Sequence, residues 1–89
     1  MADSASVCDI AVPDLGLADV PMTLSVWLVP LGTQVIAGDR IVEILAGDVT
    51  VDLAAPMTGV LVDVLVREDD LVRPGQVLGL IECQPPDEE

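Results

Sequence analysis

The chain repeats itself at a spacing of 37 residues, and this repeat limits its architecture more than any other feature. Shifted by that amount, Leu28 and Val29 fall on Leu65 and Val66, Val35 on Val72, Gly38 on Gly75, Ile41 on Leu78, and Ile44 on Ile81. Each half reads as one unit of strand, turn, short strand, glycine turn and strand. A unit of that size cannot bury an apolar face alone. The repeat therefore predicts two halves packed about a pseudo-twofold axis as two antiparallel sheets, face to face.

Between the two units lies LAGDVTVDLAAP, Leu45 to Pro56, where Gly47 and Asp48 separate two runs that alternate apolar and polar residues. A two-residue loop with Gly first matches a type II′ turn, which needs a positive φ at that position. The turn then fixes the register: Ala46 faces Val49, Ile44 faces Val51 and Val42 faces Leu53. It also sets Glu43 against Asp52, a like-charge pair costing roughly a few tenths of a kcal/mol, and leaves the tip without positive charge.

Taken in order, the chain opens with a polar stretch over residues 1–7 that reads as flexible, then a first strand from Cys8 to Pro13 with Ile10 and Val12 on one face. Pro13, Asp14 and Gly16 turn the chain. Strands follow at 23–29, at Val35 and Ile36, and at Arg40–Leu45, with turns at Pro30–Thr33 and Gly38-Asp39. After the hairpin come Val49–Leu53, Gly59–Val66, turns at 68–70 and Pro74-Gly75, and Val77–Cys83. This makes one domain over 8–83 and a linker or tail over 84–89, where QPPDEE is too polar to pack.

Eighty-nine residues sit near the lower limit for a stable core. The 52% hydrophobic content, almost all Val, Leu, Ile and Ala with one Trp and no Phe or Tyr, favours a small barrel or sandwich of short strands. A net charge of −13 argues against nucleic acid and anionic membranes; basic proteins are the natural partners for it, although its simpler and favoured reading is that it keeps an apolar-rich domain soluble. MADSAS has neither the basic start nor the apolar run of a secretory signal, which fits a cytoplasmic protein. The uncharged stretch from Val20 to Gly38 is broken by Pro21, Pro30, Gly32 and Gln34 and spaced like strands, so it does not read as a membrane span.

The central stretch, with the Pro13-Asp14-Leu15-Gly16 opening, resembles the lipoyl and biotinyl carrier domain family, closest to lipoyl domains of 2-oxo acid dehydrogenase acyltransferase components. Those domains carry their prosthetic group on a lysine at a hairpin tip, in a pattern such as E-T-D-K-A-T-V-D-V-P-A-P. Thr50, Val51, Asp52 and Pro56 match it without a gap. The resemblance, over residues 9 to 83, implies an all-β flattened barrel or sandwich of two four-stranded antiparallel sheets, the hammerhead of these domains, with the tip at one end and both termini at the other. It places the lysine at Asp48, with Gly47 and Val49 replacing the residues that flank it. The Met-Lys-Met pattern of biotin carriers is likewise missing there.

No other residue can substitute. The cations are Arg40, Arg67 and Arg73, and the chain holds no lysine and no histidine. A prosthetic group linked by an amide to a lysine amine has no attachment point, so neither lipoate nor biotin is expected as a cofactor. Ser, Thr and Cys lack a basic partner, so no catalytic residue is assigned and the domain is not expected to be an enzyme. The reading reached is a carrier fold without its acceptor lysine, serving as an unmodified binding or assembly module related to 2-oxo acid dehydrogenase complexes. The alternative is a swinging-arm lipoyl domain altered at its attachment site. Three changed tip residues and a lysine-free chain favour divergence over one designed substitution.

Three other features have competing readings. Trp27 is either a partner-facing anchor or a packing residue, and a lone aromatic on a strand of a small barrel favours packing. Glu68, Asp69 and Asp70 lack the spaced ligands and glycine of a calcium loop, so no metal is assigned to them. For the cysteines, carrying the hairpin register through the repeat sets Cys83 opposite Val12. Cys8 then lies roughly 13 Å away at about 3.3 Å per residue, beyond the roughly 7 Å a disulfide can span between Cα atoms. Two reduced thiols are expected; a disulfide is the less favoured alternative, because two cysteines without a signal peptide are weak evidence for an oxidising compartment.

Overall fold

In the computed structural model, which describes residues 6–16 and 19–83, every regular element is a β-strand. The strands are β1 (Ser6–Ala11), β2 (Met22–Trp27), β3 (Gln34–Val35), β4 (Arg40–Ala46), β5 (Val49–Ala54), β6 (Gly59–Val64), β7 (Leu71–Val72) and β8 (Val77–Cys83). They form two four-stranded sheets, β1-β8-β6-β3 and β5-β4-β2-β7, with every pairing antiparallel. Expectations for residues 1–5 and 84–89 fall outside the described residues. Ser6 and Val7 lie in β1, so the first strand starts two residues earlier than its composition suggested. Among the described residues, no helix is long and apolar enough to cross a membrane.

The 37-residue repeat is visible in the backbone. It carries β2 onto β6, β3 onto β7 and β4 onto β8, residue for residue. The hydrogen bonds repeat as well: Leu28 N donates to Ile41 O and Leu65 N to Leu78 O, both at 2.8 Å. More telling are the bonds that cross between halves. Gly32 N reaches Leu61 O at 2.8 Å while Asp69 N reaches Leu24 O at 2.7 Å, so each half's turn is held by the other half's strand. Asp69, at φ 76°, is the only described residue other than glycine with a positive φ, and its counterpart Gly32 has φ 91°. The repeat thus demands a left-handed residue there, and Asp is among the few side chains that tolerate it.

Both sheets feed one core. Leu24, Val42 and Ile44 of one sheet and Leu61, Leu78 and Ile81 of the other are fully buried, and among the described residues no polar or charged side chain is buried with them. Trp27 lies against this core. Its indole Nε1 donates to Val66 O at 3.0 Å, the packing role expected from its position.

The β1–β8 register differs from the expected one. Cys83 pairs with Ser6, not Val12, and Cys8 pairs with Ile81. The cause is a difference in connection length. Ten residues, 12–21, join β1 to β2, whereas four, 55–58, join β5 to β6. The six extra residues displace β1 along β8 by the same number. Val12 consequently occupies the counterpart position of Ala55: Val12 N donates to Gln76 O at 3.0 Å and Ala55 N to Asp39 O at 2.8 Å. The cysteines are therefore neighbours, with both thiols free and their Sγ atoms 3.3 Å apart.

Candidate functional site

The hairpin tip is built as its sequence dictates. Ala46 pairs with Val49, Ile44 with Val51, Val42 with Leu53 and Glu43 with Asp52. Gly47 has φ 60° and Asp48 does not have a positive φ, the combination of a type II′ turn rather than type I′. Ala46 is buried, whereas Gly47, Asp48, Val49 and Thr50 are exposed, so the bend stands clear of the core. No hydrogen bond or ion pair among the described residues engages the Asp48 carboxylate.

The acidic pair farther down the hairpin is relieved in a way the sequence did not reveal. Arg40, at the base of β4, sends Nη1 to Asp52 Oδ2 at 3.2 Å. Both groups are substantially exposed, so the pair contributes about 0–1 kcal/mol. It nonetheless offsets the Glu43–Asp52 repulsion on the same ribbon.

Two other segments frame the tip. β2 begins beneath it, because Met22 pairs with Ala46 on one side and Val72 on the other. The segment entering β2 rests on the turn: a side chain added at Gly47 would lie 3.3 Å from Val20 Cγ1. Beside the tip is a shallow groove lined by Val20, Met22, Leu71, Val72, Arg73 and Pro74. Leu71 is 71% exposed there, and Arg73 is exposed as well. Sequence reasoning located the tip but not the groove, whose walls come from separate segments brought together only by the sheet.

The acidic turn is engaged in local structure. Asp70 Oδ2 accepts from Arg67 N at 3.1 Å, and Glu68 Oε2 accepts from Trp27 N at 3.3 Å. Among the described residues no three His, Cys, Asp or Glu side chains are gathered as a metal site.

The comparisons with known proteins agree with this geometry. The chain is 32% identical over 75 residues to the dihydrolipoyllysine-residue succinyltransferase component of the 2-oxoglutarate dehydrogenase complex of Bartonella vinsonii subsp. berkhoffii, a match covering 84% of this chain and 18% of that protein. It is 29% identical over 80 residues to the dihydrolipoyllysine-residue acetyltransferase component of the pyruvate dehydrogenase complex of Corynebacterium glutamicum, covering 90% of this chain and 12% of the relative. The chain thus spans less than a fifth of the length of these relatives. Among solved structures, the lipoyl domain of the 2-oxoglutarate dehydrogenase complex from Azotobacter vinelandii superimposes with a TM-score of 0.69 at 26% identity, over 88% of this chain and 98% of that domain. A long-chain acyl-CoA carboxylase shares the fold at a TM-score of 0.69 and 22% identity, covering 97% of this chain and 8% of that one. The biotin/lipoyl family model, described as biotin-requiring enzyme, matches residues 8–81. On that match, together with the paired four-stranded sheets and their hairpin tip, the chain belongs to the biotin/lipoyl attachment domain family.

Proposed function

We propose that this domain is an unmodified member of the family, a binding or assembly module associated with a 2-oxo acid dehydrogenase complex. The observation that carries this reading is an exposed carboxylate, Asp48, at the hairpin tip of a chain with no lysine anywhere. Asp48 stands where the family pattern puts its acceptor. The side chains at the tip do not fit a lipoyl or biotinyl group, because a carboxylate cannot serve as the amine of an amide link and neither Gly47 nor Val49 supplies one. Kinship with the acyltransferase components supports the choice of complex.

In place of a swinging arm, the tip presents one negative charge on an exposed two-residue bend. A carboxylate held this way suits a charge-assisted hydrogen bond from an arginine or lysine of a partner protein. The test is co-sedimentation of the purified domain with the 2-oxo acid dehydrogenase complex from its own cells. Binding is expected to be weakened several-fold by Asp48→Asn and by raised salt. No co-sedimentation, or equal binding by the variant, would overturn the assignment.

A further inference from the structure

We infer that Cys8 and Cys83 form a reversible intramolecular disulfide site that staples β1 to β8 at the pole of the molecule opposite the hairpin tip. Cys8 pairs with Ile81 and Cys83 with Ser6, so the two cysteines are diagonal neighbours on one face of an antiparallel pair, within side-chain reach. Their Sγ atoms, 3.3 Å apart, need to close by about 1.3 Å to bond. The face they share is the inward one, continuing the row that holds the buried Ile10 and Ile81, and both thiols are half-buried. Met57, on the connection after β5, sets its Sδ 2.8 Å from Cys8 Sγ and helps cover the pair. Gly59 sits opposite Cys83 on β6 and places no side chain against it.

The position is remote from Asp48. β2 starts under the tip at Met22 and leads away from it. The following strand, β3, pairs Val35 with Gly59, and Gly59 in turn pairs with Cys83. Within its sheet β1 is an edge strand whose sole partner is β8, so a bond there fastens an edge strand to its one neighbour. The bridged residues are 75 apart in sequence, a long loop of the kind whose closure most restricts the unfolded chain.

The chemistry is thiol–disulfide exchange with a low-molecular-weight disulfide such as oxidised glutathione. One cysteine thiolate attacks the small disulfide, forming a mixed disulfide and releasing one small thiolate. The second cysteine thiolate then attacks the protein sulfur of that mixed disulfide, forming the Cys8–Cys83 bond and releasing the second small thiolate. The two cysteines give up two protons and two electrons, and the oxidant leaves as two thiols. Contact between the sulfurs makes the second step intramolecular and favours it over capping by another small molecule.

The test uses the full chain equilibrated in glutathione buffers from reducing to oxidising, acid-quenched, alkylated under denaturing conditions and weighed. Reduced protein should take two alkyl groups and oxidised protein none. Trypsin, which cuts after Arg40 and Arg67 but not at Arg73-Pro74, should then release peptides 1–40 and 68–89 joined, and reduction should separate them. Oxidation should raise the thermal midpoint by about 10 °C or more, a shift lost in Cys8→Ser and in Cys83→Ser. Two free thiols in the most oxidising buffer, two glutathione caps, or a disulfide-linked dimer would overturn the inference.

Discussion

Gly79 lies beneath the Trp27 ring with no room for a side chain. A methyl group there would sit 2.7 Å from Asp63 O and 3.0 Å from Trp27 Cη2, so Gly79→Ala has to shift the strand backbone against β6 and crowds the indole as well. Overpacking of this kind costs about 1–3 kcal/mol, and urea unfolding should show a loss in that range. Trp27→Phe keeps most of the ring but removes the donor to Val66 O, and should cost about 1–2 kcal/mol by the same measurement. The packing role of Trp27 was legible because a lone large side chain in an aliphatic barrel has to be accommodated somewhere. Gly79 as its floor was not legible. Within Val77–Cys83 it reads as one more position of a strand, and the close approach comes from another element.

At the scale of the element, the hairpin and β1 differ in what limits their register. In the hairpin, Gly47 and Asp48 fix the pairing over a two-residue loop, so every cross-strand partner down to Val42 and Leu53 follows from the turn. The turn is also its weak point. Gly47→Ala imposes a side chain on a residue at φ 60° and crowds Val20, and should destabilise by about 1–2 kcal/mol in a urea titration. Arg40→Ala, by contrast, removes an exposed pair and should cost less than about 1 kcal/mol, a difference that shrinks further at high salt. No such local device positions β1. Its partner β8 is at the other end of the chain, and the six extra residues of the 12–21 connection leave no mark on the hydrophobic alternation. The pairing of Cys8 with Ile81 had to come from the structure, and with it the contact between the thiols.

For the whole molecule, the repeat and the aliphatic composition were enough to specify two face-to-face sheets, because neither half can close a core alone. The charge was equally plain. With 16 acidic residues against three arginines, folding gathers like charges onto a small surface, and screening them should favour the compact state. The thermal midpoint is therefore expected to rise as sodium chloride is raised from low ionic strength, and a flat or falling midpoint would show that self-repulsion is not a significant cost. The groove beside the tip could not be foreseen, since Val20, Leu71 and Arg73 meet only once the sheet β5-β4-β2-β7 has formed.

The claim on which the functional account rests is that the apex of this carrier fold bears no prosthetic group. Trypsin isolates that apex cleanly, because Arg40 and Arg67 bracket it and the intervening peptide, 41–67, contains Gly47, Asp48 and Val49. The decisive measurement is the mass of that peptide from protein purified out of its native cells. The expected mass is that of the bare sequence, and a peptide heavier by a lipoyl or biotinyl group would show that the apex is loaded after all.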